Sequence, residues 1–425
     1  MSTHHNHHKQ TQVYALRIAL SIITCCLLFP HITAAEDSEF KEPIGLMLSW
    51  QSDPLTTMTF DWQILPDDPE EVAVPILHIK RKGASTWHEV EAKSLPFPHS
   101  DRTIHRIEMV GLEPGTAYRF RVGGFTREYY FNTMPSDLSE PLVWATGGDT
   151  RHRQSWMERM NHVAMRYDPQ FIVWGGDLSY ADGREDRVGR WYEWFDAIRN
   201  TLIDEDGRVV PIVVGIGNHE VQRGYYFRNN DYEPTDEWRE RRAVYFFNLF
   251  AFPGHPGYGV LDFGDYMSLV MGDTDHAGPI EGEQTEWMEQ TLAERQQTPH
   301  VFPIHHVPAF PSARNYDGRV SSNVREHWVP LFEQYGIKIA FENHDHTYKR
   351  TPPIRNGEIA DDGIIYVGDG AWGVRTRNVH DVEDTWYLQN AEGTRHAIIV
   401  TLEGEDQQYK VVSEHGDLID EFSIP

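Results

Sequence analysis

FIVWGGDLSY, residues 171–180, runs through four apolar residues and stops on Gly175-Gly176-Asp177. A short run without polar alternation is the mark of a strand covered on both faces, as in the parallel sheets of α/β proteins. The same pattern stands at PLVWATGGD, residues 141–149, and at PIVVGIGN, residues 211–218. Between them SWMERMNHVAMRY, residues 155–167, carries Trp156, Met160, Val163 and Tyr167 at helical spacing. GEQTEWMEQTLAER, residues 282–295, reads as another helix, with Trp287, Thr291 and Leu292 on one face. Strands return at 258–272 and in HVFPI, YGIKIA, GIIYVGDG, RHAIIVTL and QYKVVSE. Alternation of buried strand and helix implies an α/β domain over residues 140–425.

Ahead of it the pattern differs. LSWQSD, MTFDWQIL, ILHIKRK, TWHEVEA, IHRIEMV and AYRFRVGG are short alternating runs separated by Pro, Gly and Asp. Their spacing predicts a β-sandwich over 40–135, and GLEPGTAYRFRVGG resembles the last strands of a fibronectin type III domain. Residues 221–256 form a long aromatic and charged insertion, a candidate cover for a site or a homodimer surface.

The first 35 residues read as a leader. Lys9 and Arg17 precede the apolar stretch Ile18–Phe29, and Ala34-Ala35 supply small residues for cleavage. The expectation is a secretory signal peptide and a secreted, periplasmic or extracellular protein without membrane insertion. Both cysteines, Cys25 and Cys26, fall inside this leader, so no disulfide or thiolate serves the mature chain. The formal net charge of -27 becomes -29 once Lys9 and Arg17 are gone. Such a chain repels nucleic acid and anionic membranes. An anionic substrate then needs a local cationic site.

Three strand ends offer one: Gly148-Asp149-Thr150, Gly176-Asp177-Leu178-Ser179-Tyr180 and Gly217-Asn218-His219-Glu220. In open α/β sheets, sites form beyond the carboxyl ends of the strands. HVFPI ends in His305-His306-Val307-Pro308, and YGIKIA leads into FENHDHTYKR, residues 341–350. If that chain stays extended, His344 and His346 face one point and Asp345 faces away. Hard oxygens with imidazoles and no thiolate suit iron, manganese or zinc in a two-metal site.

In order, these blocks resemble the calcineurin-like metallophosphoesterases, and among them the purple acid phosphatases: GDx, GDxxY, GNH[ED], a histidine after a strand, and GHxH. The resemblance implies a four-layer αββα catalytic domain behind the sandwich. It implies two metal ions, Fe(III) plus Zn(II), Mn(II) or Fe(II). Asp149, Tyr180 and His346 would hold the ferric ion, Asp177 would bridge, and Asn218, His306 and His344 would complete the divalent site. His219 would protonate the leaving oxygen. The fourth block is ambiguous between His305 and His306; Pro308, two residues on, favours His306 as ligand and leaves His305 a catalytic or substrate histidine. His152 and His276 are candidates for substrate contact, and Arg350 for a structural ion pair. Two departures stand out: Asn343 replaces the glycine of the last block, and Thr150-Arg151 supplies no second glycine in the first.

The implied function is hydrolysis of a small phosphate monoester by in-line attack of a metal-bound hydroxide. A phosphodiesterase acting on nucleotides or phospholipids would use the same residues. An exported, non-catalytic binding protein is the alternative of another class.

Overall fold

The computed structural model describes residues 42–425. The leader reading of residues 1–35 lies outside them. Among the described residues no helix is long and apolar enough to cross a membrane.

Residues Ile44 to Asn132 build two four-stranded sheets. One takes the order Ile44–Ser49, Met58–Ile64, Thr103–Met109, Lys93–Pro96; the other His88–Glu91, Ile76–Arg81, Ala117–Val122, Tyr129–Asn132. Phe60 of the first sheet meets Phe120 and Phe131 of the second at 4.9 and 5.4 Å between ring centroids. These edge-on aromatic contacts close the sandwich. TWHEVEA holds one strand, His88–Glu91, and the strand that follows it, Lys93–Pro96, is one the sequence does not mark. The chain changes sheet at the buried Ala92, so His88–Glu91 pairs with one sheet and Lys93–Pro96 with the other. Both strands are largely exposed edges, where packing imposes no alternation to read.

The remaining chain forms two larger sheets packed face to face. The six-stranded sheet has the order Ile212–Val214, Phe171–Trp174, Leu142–Gly147, His396–Glu403, Asp406–Ser413, Leu418–Ile424, and its first three strands are parallel. The seven-stranded sheet runs Gly259–Phe263, Met267–Gly272, His300–His305, Ile339–Glu342, Ile365–Gly368, Tyr348–Arg350, Asn390–Glu392, and its four strands from Met267–Gly272 to Ile365–Gly368 are parallel. Trp144 lies between the sheets, 5.4 Å from Phe302 and 5.4 Å from Phe341. On the outer face of the six-stranded sheet, Ala145, Ile172 and Trp174 pack on the helices Gln154–Met165 and Val188–Thr201. On the other outer face, Val270, Ala340 and Tyr366 pack on Glu283–Glu294, Arg319–His327 and Val329–Gln334. Helix, sheet, sheet, helix is therefore the layer order, and strands apolar on both faces follow from it.

The sandwich is fused to this body. Trp50 packs edge-on against Phe171 at 5.8 Å and Phe263 at 5.7 Å. Arg106 is fixed by Asp61 at 2.6 Å and donates to the Leu249 carbonyl at 2.7 Å. The two cores are continuous, so the front domain packs directly on the strands of the two larger sheets. The layout brings the carboxyl ends of both sets of parallel strands to one edge of the sheet pair, and the polar residues that follow them meet there.

Candidate metal centre

Five side chains of the cluster hang from backbone in the left-handed region. Asp149 (φ 57°), Asp177 (φ 54°), Tyr180 (φ 60°), His344 (φ 79°) and His346 (φ 61°) all leave their strands by a sharp reversal. Non-glycine residues there cost on the order of 1–3 kcal/mol each. The expectation of an extended chain through His344 and His346 is thus corrected. The strand stops at Glu342, and the two imidazoles converge because the backbone turns twice, not because it is pleated. Asp345 does face away: its Oδ2 accepts the Ala313 and Arg314 N–H groups at 2.7 and 3.0 Å.

The side chains meet as follows. Asp149 Oδ1 lies 2.8 Å from the Tyr180 hydroxyl and 3.0 Å from His346 Nε2, and its Oδ2 accepts the His344 N–H at 2.8 Å. Asp177 Oδ2 lies 3.2 Å from His306 Nε2, and its Oδ1 accepts the His219 N–H at 2.7 Å. His306 Nε2 also lies 3.1 Å from His344 Nδ1. His306 donates its Nδ1–H to the Gly175 carbonyl at 3.0 Å, and His346 its Nδ1–H to the Arg375 carbonyl at 3.1 Å. Both rings therefore turn a second nitrogen inward. One potential ligand atom each from Asp177, His306 and His344 lies within 4.8 Å of the others, and the same holds for Asp149, Asp177 and His346. Asp177 belongs to both groups.

This donor set fits a pair of cations. Among the described residues no lysine or arginine pairs with either carboxylate. Asn218 Oδ1 is buried with no hydrogen-bond partner. Burial alone would lower the His306 pKa, but Asp177 and Asp149 outweigh it and push it up to about 9. A proton is drawn to the place where a metal ion would sit. Burial, reinforced by Asp149 and Asp177, holds the Tyr180 hydroxyl protonated well above its usual range. Only a strong nearby cation would release a phenolate there.

The other expected residues fall on either side of a clear line. His219 sits at the mouth, its side chain one-third exposed, with Nδ1 bonded to Asp182 and Nε2 3.9 Å from Asp177 Oδ2. It opens on a cleft of about 790 Å³ that Asn218, Arg223, Gly224 and Arg228 also line. One wall of the cleft is thus the start of the 221–256 insertion. His152 is half-buried, its ring 4.5 Å from that of Tyr180, and burial with His346 lowers its pKa to about 4. His305 and His276 do not reach the cleft. His305 points into the helical layer against Trp328, its Nδ1 bonded to the Val307 carbonyl at 3.0 Å. Neighbouring strand residues point to opposite faces, so bringing His306 inward turns His305 out. His276 is wholly buried between the Gly224 carbonyl, 2.9 Å from Nδ1, and Thr274 Oγ1, 3.0 Å from Nε2. It packs beside His306 at 5.5 Å and has no open face for substrate. Arg350 pairs with Asp420 at 2.7 Å, a structural contact as expected.

Sequence reasoning missed the groups that hold the cluster in place. Glu220 is buried and accepts the N–H groups of Asp177, Leu178 and Gly217, all at 2.8 Å. One carboxylate thus ties two metal-cluster loops, and burial with Asp177 nearby pushes its pKa up to about 7. Its signal was the acidic residue that closes Gly217-Asn218-His219-Glu220. Asn343, the departure from the usual glycine, fills the space left by two other glycines. A Cβ on Gly148 would lie 2.3 Å from its Oδ1, and one on Gly175 2.0 Å from its Nδ2. Behind the His344–His346 turn, Lys349 is wholly buried among Glu342, Asp369 (3.0 Å) and the Phe310 carbonyl (2.6 Å). Against the lowering effect of burial, Asp369 and Glu342 keep Lys349 charged. Burial and the surplus negative charge push Asp369 up to about 8.

Two family models match the chain. Residues 43–133 match the N-terminal domain of purple acid phosphatases, and residues 144–348 match the calcineurin-like phosphoesterases. Among curated proteins, purple acid phosphatase 21 of Arabidopsis thaliana is 26% identical over 306 residues, 69% of this chain and 64% of that one. Purple acid phosphatase 13 of the same plant is 25% identical over 409 residues, 82% and 72% of the two chains. The chain spans slightly under two thirds of the first relative's length. In fold, a purple acid phosphatase from yellow lupin seeds, PPD1, aligns with a TM-score of 0.74 at 19% identity, over 90% of this chain and 74% of that one.

Lys349→Met tests the support behind the turn. Removing one partner from a buried ion pair should cost about 3–5 kcal/mol of stability, read from denaturant unfolding at neutral pH. A loss below about 1 kcal/mol, the range of exposed pairs, would show that the network does not hold the turn.

Proposed function

The chain belongs to the calcineurin-like phosphoesterases of purple acid phosphatase type, and from that membership we propose that it hydrolyses phosphate monoesters with two metal ions. The observation that carries the reading is the place of Asp177 in both potential ligand groups. Asp177 would be the carboxylate common to both ions, and two neighbouring ions would supply charge to the attacking and leaving oxygens of an in-line phosphoryl displacement. Asp149, Tyr180 and His346 would hold the more highly charged ion, for which we propose Fe(III). Asn218, His306 and His344 would hold a divalent one. When bound, the ions supply charge for the phosphate oxygens and acidify a water for attack on phosphorus.

The remaining steps fall to the chain's own groups. His219 gives its Nδ1–H to Asp182, which fixes the ring and leaves Nε2 toward the cleft. With both ring nitrogens protonated, Nε2–H can pass its proton to the departing alkoxide, and the neutral Nδ1–H ring remains. His152 accepts the Arg375 N–H at its Nδ1, 3.1 Å away. Held neutral, it keeps its proton on Nε2 and can donate it to a phosphate oxygen. The buried wall of Tyr180, His306 and His344 limits water around the reacting phosphate. Export rests on the leader-like residues 1–35 alone.

Two measurements test this reading. In a series of phosphate esters, His219→Ala should lose about 10²–10⁴-fold in kcat for alkyl phosphates, and much less for nitrophenyl phosphate, whose leaving group needs no proton. Equal losses would make His219 a binding residue, and no turnover of any monoester by the metal-loaded wild type would end the proposal. Tyr180→Phe should bleach a broad visible phenolate-to-iron absorption while the far-ultraviolet dichroism stays unchanged. A colourless iron-containing wild type would remove Tyr180 from the ligand set and leave the two-metal reading intact.

A further inference from the structure

Among the described residues the front sandwich supplies none of the grouped candidate ligands, yet one of its outer faces reverses the charge balance of the chain. Residues 76–91 and 117–132 hold the sheet of His88–Glu91, Ile76–Arg81, Ala117–Val122 and Tyr129–Asn132. They carry six Lys or Arg and three Asp or Glu, whereas the whole chain carries 38 and 65. Strand alternation sorts these residues. Leu77, Ile79, Phe120 and Val122 are buried in the sandwich core, so His78, Lys80, Arg119 and Arg121 stand on the outer face. Register sets like against like: Lys80 lies opposite Arg119, and His78 opposite Arg121. Lys82 continues the row, its N–H given to the Ala117 carbonyl at 2.8 Å.

Opposed like charges weaken a strand pair, and ion pairing offsets them only in part. Among the described residues Arg119 pairs with Glu128 at 3.2 Å and His78 lies 3.5 Å from Glu89, while Lys80, Lys82 and Arg121 enter no ion pair. Aromatic rings hold these three instead. Lys80 Nζ lies 4.3 Å and the Arg121 guanidinium 4.5 Å from the ring centre of Trp87, and Lys82 Nζ lies 5.7 Å from that of Tyr130. Such contacts fix a charge without neutralising it. The face is a set of positioned, unneutralised cations on a chain of formal charge -27.

The complementary partner is an anion, and three features choose which. Outward residues two apart on a strand lie about 6.6–6.8 Å from each other, a spacing on the scale of one charge per sugar ring. Trp87, engaged by two cations, is not an open platform for a nucleobase, and the acidic remainder of the chain repels a dense polyphosphate or a charged membrane plane. A second copy docked through the same face by a twofold axis would set cation against cation. A polymer of low charge density can follow the face and stay clear of the acidic remainder. We propose that this face docks an acidic polysaccharide, the carboxylates of a uronate chain lying on Lys80, Lys82, Arg119 and Arg121. Guanidinium and carboxylate match as two-pronged partners. The docking is independent of the hydrolytic reading.

Calorimetry with polygalacturonate tests it. The purified protein should bind the polymer at low ionic strength and lose at least about tenfold in affinity at 1 M salt, where the screening length is about 3 Å. Methyl esterification keeps the sugar chain but removes its charge, and should abolish binding. Lys80→Gln/Arg121→Gln should weaken binding at least about tenfold, the equivalent of one charged contact, with unchanged far-ultraviolet dichroism. Should that variant fail to fold, Lys82→Glu, at an exposed position, carries the test and should weaken binding likewise. Saturating inorganic phosphate at matched ionic strength, the competitor for the metal centre, should leave binding unchanged. The proposal is overturned by a wild type that does not bind, by equal binding of the esterified polymer, by wild-type affinity in the folded variants, or by displacement with inorganic phosphate. Tighter binding of single-stranded DNA or of phosphatidylserine vesicles would overturn it too, by assigning the face to another polyanion.

Discussion

Two buried carboxylates, Asp149 and Asp177, face three imidazoles and a phenol with no lysine or arginine to balance them among the described residues. Isolated charges of this kind are costly to bury. The site is tolerable only as a receptacle for positive charge, and the surrounding structure is arranged to keep its shape. Left-handed residues at the strand ends aim the side chains. Glu220 clamps two of the loops, and Lys349 with its two carboxylates braces a third. The strain and the unbalanced charge are offset by the cores that fix the strands.

Those cores explain why the front domain and the two sheets behave as one body. Trp144 locks the sheets together, and Trp50 carries the contact into the sandwich through Phe171, the first residue of the strand that ends beside Asp177. A shift of that strand would move the shared carboxylate. Among the described residues the sandwich supplies none of the grouped candidate ligands and meets the rest of the chain through packing.

Much of this was legible in the sequence because its causes are local. Strands covered on both faces show as unbroken apolar runs, and a glycine followed by a polar residue marks where each ends. Those marks located Asp149, Asp177 and Asn218; Pro308 pointed to His306, and spacing after YGIKIA pointed to the His344–His346 pair, and the fold brings the two aspartates and three histidines together. The pair was located by an argument that does not hold, since period-two alternation ends at Glu342. What the sequence hid depends on contacts far apart in the chain. Glu220 looks like any acidic loop residue until its three N–H partners are seen. Lys349 reads as a solvated strand residue, yet it is buried because Glu342 and Asp369 flank it from two other strand ends. His276 looked like a site residue by its place after a strand, but it is buried with both ring nitrogens bonded, to Gly224 and Thr274, and with Tyr225 packed beside it. For the choice between His305 and His306, strand parity in the sheet gives the physical reason that Pro308 could only suggest.

The central claim is that one carboxylate serves two cations. It is tested most directly by counting metal ions per chain in the purified wild type and in Asp177→Asn, with folding checked by dichroism. The account requires two ions in the wild type and loss of both, or a steep loss of affinity at both, in the variant. A folded Asp177→Asn protein that still holds two ions at wild-type affinity would contradict it.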